Sequence, residues 1–560
     1  MLPPNIDNDI DRISQLDFSI KRLGEPTIES SLTDMIFVDD DEKVGVIGRN
    51  GEGKTTLFRI LSGEDTDYQG DITIGKGIHL ISTRQEHHGY EAMPVLEYIL
   101  QDLPKYTHLK HIIETYPETM GDKMHLINEY SEALEQFDQL GYYTIENEVE
   151  KTLDSFQLGD RTHDIIGALS GGQKRLVEVA KVMISKAQLA LIDEPTNHMD
   201  YVAKDKFLNW MGAAKEAMLV ITHDRDVLEK VDRILEIKDQ KILSYKGNYS
   251  DYLRQNSTST GSQMNEFELT QRRITNLKAK VLEYQRYKEK ARDPGTIQRF
   301  KRLEQQTRTE LAELEKVEKP TFWVDRESVQ DMGLKTGEQY QKYKAKNIKL
   351  HGVTGEEGFS RLLVSVNDLS LGYDQSLFQK VSFQIREGEI IELRGRNGAG
   401  KTTLVKTLLS TIHEQPFAAT VYDGHIDVDK KIRVGVYEQE TSSDLLEKTL
   451  AEAIEHIFLS RGLSIGDTKV RQLMADYLFT AGDANIPVAQ LSGGQKARLQ
   501  LIDMLADNPS LLVLDEPTNH LDLPSIEELE NALKHYAGAI LYISHDTHFR
   551  KQLGGEVVQL

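Results

Sequence analysis

Two glycine-rich runs of one form, Gly48-Arg-Asn50-Gly51-Glu-Gly53-Lys54-Thr55 and Gly395-Arg-Asn397-Gly398-Ala-Gly400-Lys401-Thr402, lie 347 positions apart in this chain. Both fit G-x-x-x-x-G-K-[ST]. In that pattern backbone N–H groups close around phosphate oxygens, a lysine holds the β- and γ-phosphates, and a hydroxyl ligates magnesium. Lys54 and Lys401 would take the lysine's role and Thr55 and Thr402 the hydroxyl's, with Thr56 and Thr403 beside them. Further along, Asp193-Glu194 and Asp515-Glu516 close apolar runs. The aspartates would help hold magnesium, and Glu194 and Glu516 would polarise the attacking water as general bases. His223 and His545 follow the apolar runs Ala217–Ile221 and Ala539–Ile543, placed for contact with a γ-phosphate. Between loop and acids stand Ser170-Gly171-Gly172-Gln173 and Ser492-Gly493-Gly494-Gln495, each after a leucine. Ser170 and Ser492, Glu194 and Glu516, and His223 and His545 are each 322 positions apart. Four kinds of motif duplicated in register imply two sites of nucleoside triphosphate hydrolysis.

Such loops need a strand before them and a helix after. Val44–Ile47 and Leu511–Leu514 read as strands, and Thr56–Leu61 and Thr403–Leu409 as the starts of amphipathic helices. The expected fold class is therefore α/β, with two tandem P-loop ATPase domains over residues 1–255 and 326–560. Gln85 and Gln439 are taken as equivalent. From them to the serine the spacing is 85 residues in the first half and 53 in the second, which marks an arm-like insertion within about 100–145.

Residues 256–325 are expected to be a linker built on a helical hairpin. Ile274, Leu277, Val281 and Tyr284 fall at helical spacing before the turn Asp293-Pro-Gly295, and Phe300, Leu303, Leu311 and Leu314 do so after it. Arms of about 25 residues would reach ~37 Å. Ser257–Ser262 reads as a flexible joint ahead of them.

The net charge of −23 opposes a polyanionic partner on average, yet residues 271–302 alone carry eleven Lys/Arg against three acids. Local charge decides where a phosphate backbone docks. Lys288, Lys290, Arg292, Arg299, Lys301 and Arg302 are the candidate RNA contacts. The absence of cysteine excludes disulfides, thiolate zinc sites and cysteine-held iron–sulfur clusters. No run approaches the ~18 apolar residues of a membrane helix. Met1-Leu-Pro-Pro lacks the basic start and apolar block of a secretory signal, so a cytoplasmic protein is expected.

Leu-Ser-Gly-Gly-Gln between phosphate loop and acidic pair resembles the signature of the ATP-binding cassette (ABC) ATPases. The resemblance implies ATP and Mg²⁺ as ligands and two cassettes that sandwich ATP head to tail. Lys54 would share its nucleotide with Ser492, and Lys401 with Ser170. Gln85 and Gln439 resemble the family's Q-loops, which also reach magnesium, and Asp200 and Asp522 match its D-loops. Tyr373 would stack on adenine. At the matching point of the first half stands Arg22, whose guanidinium can stack instead. Met199 replaces the usual leucine before the first D-loop aspartate, a volume-conserving change expected to be silent.

Glu-Pro-Thr-Asn-His after both acidic strands, Gly247-Asn-Tyr-Ser-Asp-Tyr252, and the basic hairpin resemble the ABC-F subfamily. That likeness implies a monomer that binds the ribosome when ATP closes it and is released by hydrolysis. Its hairpin would lie in the tRNA exit site against rRNA and tRNA, serving translation or protection from antibiotics. The first-half insertion resembles the arm that such proteins set against the ribosomal stalk. The alternative is the ATPase subunit of a membrane ABC transporter, which needs no basic hairpin. Excision-repair relatives need zinc cysteines, and chromosome-structure relatives split a cassette around a long coiled coil.

Overall fold

A computed structural model describes all residues except 1–11, 21–27, 30–35, 50–51, 76, 85–86, 120, 122, 198, 239–240, 291, 315–360, 417–418, 438–441, 478, 492, 520 and 535. The described residues fall into two compact units, one drawn from Met1–Tyr249 with Ile348–Leu560, the other from Ser250–Asn347.

In the first half the strands are β1 (Arg12–Ile20), β2 (Ile28–Glu29), β3 (Ile36–Asp39), β4 (Lys43–Gly48), β5 (Gln69–Ile74), β6 (Leu80–Ser82), β7 (Leu189–Asp193), β8 (Ala217–Ile221), β9 (Arg233–Lys238) and β10 (Lys241–Lys246). Strand β1 pairs antiparallel with β2, β3 and β5. The second sheet runs β10-β9-β4-β8-β7-β6, parallel except for the β9–β10 pair. The second half repeats this plan with β11 (Leu362–Gly372), β12 (Val381–Arg386), β13 (Ile390–Arg394), β14 (Thr420–Val428), β15 (Val434–Tyr437), β16 (Leu511–Asp515), β17 (Ala539–Ile543) and β18 (Glu556–Gln559). Its antiparallel sheet is β12-β11-β14 and its parallel sheet β15-β16-β17-β13-β18. The order β6-β7-β8-β4-β9 is thereby reproduced strand for strand, and the chain is an α/β protein with two tandem domains of one plan.

Strands β7 and β8 are buried along their whole length. A parallel strand covered on both faces reads as an unbroken apolar run, which is how these strands look in the sequence. In register, Ile221 lies opposite both Val46 and Asp193, so β8 and β7 end at one level and β4 runs two residues beyond it. Ligands of open α/β sheets bind just beyond such carboxyl ends. The helix Lys54–Leu61 is held against this sheet by Leu57, Phe58, Ile60 and Leu61. Leu404, Val405 and Leu408 do the same for the helix Lys401–Ile412. Each such side chain contributes about 1.5–3 kcal/mol on burial.

The first-half insertion contains two helices, Tyr106–Thr119 and Met124–Gln139, packed together ahead of the helix Ile145–Ser155. Tyr106, Phe137 and Tyr142 close their shared end with ring centroids 5.3–5.9 Å apart.

The other unit is a helical hairpin, Tyr249–Lys290 and Pro294–Leu314. Asp293 caps the second helix by accepting from the Thr296 N–H at 2.8 Å, and Pro294 opens it, where a missing N–H costs nothing. The arms are antiparallel, since Tyr284 and Tyr287 meet Phe300 while Arg273 Nε donates to Glu310 at 3.0 Å. The joint expected at Ser257–Ser262 is instead helical backbone inside the 42-residue first arm. The hydroxyls of Ser257 and Thr258 both donate to the Arg254 carbonyl at 2.9 Å, which satisfies them within the helix. Among the described residues no helix is long and apolar enough to cross a membrane.

Candidate functional site

Each phosphate loop leaves a central strand, turns through a left-handed glycine and enters a helix. Gly53 has φ +93° and Gly400 φ +91°. At Gly400 a side chain would also meet Phe378 Cδ1 at 2.9 Å, so only glycine fits. Lys54 Nζ donates to the carbonyls of Gly48 at 2.7 Å and Arg49 at 3.0 Å. Lys401 Nζ does the same with Gly395 at 2.7 Å and Arg396 at 3.0 Å. Burial lowers the pKa of both ammonium groups, and nearby carboxylates oppose it.

The hydroxyl that follows each lysine faces the acid at the end of the neighbouring buried strand. Thr55 Oγ1 donates to Asp193 Oδ2 at 3.2 Å and Thr402 Oγ1 to Asp515 Oδ2 at 3.0 Å. These are hard oxygen donors, and no group of three or more His, Cys, Asp or Glu side chains gathers to hold a metal among the described residues. One hydroxyl and one carboxylate suit magnesium, which keeps waters and phosphate oxygens in its remaining positions.

Glu194 and Glu516 have φ +46° and +48°, a left-handed conformation that costs a non-glycine residue energy. Their amides are held by the ends of β8 and β17: Glu194 N–H donates to Ile221 O at 2.8 Å and Glu516 N–H to Ile543 O at 2.9 Å. Burial, reinforced by the Asp193 charge, pushes the Glu194 carboxyl up to about 8. Burial pushes Glu516 up to about 7, against the His545 amide that donates to it. His223 and His545 face these carboxyls at 3.5 and 3.4 Å. Burial, then the adjacent lysine, drops both imidazoles to about 3, so they are neutral. Each site thus pairs a neutral histidine with a carboxyl near the middle of its titration, the state a general base needs.

The two halves meet at the Lys401 site. A cleft of about 660 Å³ is lined from the second half by Tyr373, Lys401, Thr403 and His545, and from the first by Ser170, Gly172 and Gln173. Ser170 caps its helix reciprocally: Gln173 N–H donates to Ser170 Oγ at 3.3 Å, and Ser170 N–H to Gln173 Oε1 at 2.9 Å. Its free helix end therefore points positive potential at the cleft. Asp200 caps the next helix through the Ala203 N–H at 2.9 Å, while its other oxygen accepts from the Asn397 N–H of the opposing phosphate loop at 3.2 Å. The electrostatics are reciprocal: Asp522 acts on Lys54 and His223, and Asp200 on Lys401 and His545.

Of the expected site residues, Asn50, Gly51, Gln85, Gln439 and Ser492 lie outside the described residues, as does Arg22. On the hairpin, Lys290, Arg292, Arg299, Lys301 and Arg302 are exposed. Lys288 is committed to Glu304 at 2.7 Å, and Arg308 shares that acid. Sequence reasoning missed Glu178, a lone acid inside Leu176–Ala180 that turns out fully buried. A charged residue in an apolar helical run was the available signal. It also missed Arg225, whose counterpart 322 positions on is Thr547.

Two phosphate loops with their acids and histidines, each site faced by the other half, define an ATPase with paired nucleotide sites. The ABC transporter family matches residues 36–197 and 378–519, and a family extension, also described as ABC transporter, matches 235–330. The chain is 29% identical to YdiF of Bacillus subtilis (strain 168), over 98% of this chain and 80% of that protein. It is 30% identical to the energy-dependent translational throttle protein EttA of Mycobacterium tuberculosis (strain CDC 1551 / Oshkosh), over 90% of this chain and 84% of that protein. Among solved structures it resembles RNase-L Inhibitor in fold, with a TM-score of 0.54 at 18% identity, covering 97% of this chain and 87% of that one. The chain belongs to the ATP-binding cassette family, in its ABC-F branch, and is an ATP hydrolase.

Proposed function

We propose that this chain is a cytoplasmic, monomeric translation factor that binds the ribosome with ATP and leaves it on hydrolysis. The observation that carries the reading is the exposed basic hairpin joining two ATPase halves, in a chain 30% identical to a protein named for energy-dependent translational throttling. One ATP would lie between Lys54 and Ser492, the other between Lys401 and Ser170, and both would hold the halves together. Thr55 and Asp193, and likewise Thr402 and Asp515, would hold a magnesium ion bound with the nucleotide, which would neutralise phosphate charge. Glu194 and Glu516 would each take a proton from the attacking water, while neutral His223 and His545 orient water and γ-phosphate. The hairpin's bases would dock on rRNA and exit-site tRNA, because phosphate contacts dominate such affinity. The short tip Arg292–Gln298 favours general action on translation over displacement of a bound antibiotic.

The test is co-sedimentation of the Glu194→Gln/Glu516→Gln protein with 70S ribosomes, with and without ATP. Pelleting that requires ATP is the expected result. ATP binding without pelleting would overturn the reading and direct attention to membranes or to other nucleic acids.

A further inference from the structure

The first half also reaches the Lys401 cleft through Ser155–Leu158, the stretch that ends the helix Ile145–Ser155. Phe156 and Leu158 are buried, at 4% and 2% exposure. Ser155 spends its hydroxyl on the Thr152 carbonyl at 2.7 Å. Gln157 is exposed, and its amide is the long polar group that this stretch offers the cleft. The backbone beneath it is fixed. Gln157 N–H donates to Asp154 O at 2.9 Å and Leu158 N–H to Leu153 O at 2.8 Å, the pair of bonds that ends a helix on a left-handed residue. Gln157 takes that conformation at φ +62°, where glycine is the usual occupant.

Across the cleft from the second half stands Tyr373, with just over half of its surface exposed. A nucleotide with its phosphates on Lys401 and its adenine on Tyr373 still has a polar base edge, which needs partners once water is displaced. Gln157 stands at the edge of such a site. It also lines an adjoining cavity of about 580 Å³, which shares Ser155 and Arg396 with the cleft and is otherwise walled largely by Lys151, Lys206, Asp154 and Asp160. The stacking surface therefore gives way to a polar wall at this residue. A glutamine amide presents one donor and one acceptor in a plane. Adenine offers the matching pair, its N6 amino donor beside the N7 acceptor, whereas guanine offers two acceptors, O6 and N7.

We propose that Gln157 of the first half is a specificity-determining residue of the Lys401 site and reads the N6/N7 edge of the adenine stacked on Tyr373. It selects adenine over guanine nucleotides from the opposite side of the cleft. The inference rests on the shared-nucleotide reading above and is independent of ribosome binding.

The test measures steady-state hydrolysis of ATP and of GTP by the full chain in a Glu194→Gln background, where only the Lys401 site turns over. Gln157→Gly suits the left-handed backbone, so it should fold and melt no lower than its parent. It should lower the ratio of kcat/KM for ATP to that for GTP about tenfold, within the discrimination of one bidentate base contact, and mainly through KM. Gln157→Arg can donate to both O6 and N7 of guanine and should move the ratio further towards GTP than the glycine variant does. A merely structural role would change both nucleotides together and leave the ratio where it was. A ratio within about twofold of the parent's in Gln157→Gly would overturn the proposal, as would an arginine variant no more tolerant of GTP than the glycine one. Ser170→Arg is the companion measurement. If it leaves the Lys401 site working, the shared-nucleotide reading itself is wrong. If it silences that site while Gln157→Gly keeps the parent's ratio, the assignment to Gln157 alone fails.

Discussion

Arg225 of the first half and Glu530 of the second, 305 positions apart, meet at 2.9 Å with 6% and 8% of their side chains exposed. His548 Nδ1 shares the guanidinium. Alongside, Lys204 pairs with Asp224 at 2.8 Å and Asp226 at 2.6 Å. The positions 322 beyond Lys204 and Arg225 hold Ile526 and Thr547, so these two cations have no counterpart in the second half and the contact is not symmetric between the halves.

Removing one member of this pair should cost much more than removing both. Arg225→Met leaves the buried Glu530 carboxylate with His548 alone and should destabilise the protein by up to about 3 kcal/mol. Arg225→Met/Glu530→Leu should cost less than Arg225→Met alone. A double-mutant cycle in urea unfolding checks this, and strict additivity would contradict it.

Both sites should show pH dependence above the usual carboxylate range. A general base works deprotonated, so turnover rises as pH passes its pKa. With Glu516→Gln only Glu194 works, and with Glu194→Gln only Glu516; burial raises both carboxyls, so in either variant kcat/KM should rise with a midpoint well above 4.5. A midpoint at the ordinary carboxylate value would remove the general-base assignment.

The same shift acts on stability. The Glu194 carboxyl is raised on folding, so the stability it contributes is complete below its unfolded pKa and is lost as pH rises towards about 8. A glutamine stays neutral. Without nucleotide, Glu194→Gln should therefore melt above the unmodified protein at pH 8, and the difference should close by about pH 5, near the unfolded pKa. Melting curves at the two pH values decide it, and a lower Tm for the variant at pH 8 would reverse the sign of the argument.

On the hairpin, charge already spent should matter less than charge on offer. Lys288 is paired with Glu304, whereas Lys290, Arg292, Arg299 and Lys301 are exposed. Changing those four to glutamine should flatten the salt dependence of ribosome binding by about 3 in log–log slope, at ~0.7 per lost phosphate contact. Lys288→Gln should change it little. Binding titrations at several salt concentrations measure both.

Much of this organisation could be read from residues alone. Apolar runs ending in Asp193 and Asp515 announce buried parallel strands because both faces are covered, and Asp293-Pro-Gly295 announces a turn because proline cannot continue the preceding helix. The Ser/Thr-rich run at Ser257–Ser262 misled, since its hydroxyls could satisfy themselves on helical carbonyls as readily as on a loop. Pairings such as Asp200 with Asn397 and Arg225 with Glu530 join positions 197 and 305 residues apart. No local pattern encodes them, because the fold alone brings those surfaces together. Glu178 was legible only as an oddity, and its partners required the structure.

Glu194 and Glu516 occupy the left-handed backbone region with their amides tied to the strand beside them. A glycine there would relax the chain, and a neutral side chain would relieve the buried carboxyl. Loss of the working residue is thus energetically downhill for the fold. Copies released from selection should drift first at these two positions, keeping the architecture while one ATP site falls silent. A glutamate at both positions means that this chain carries that backbone and burial cost in both halves.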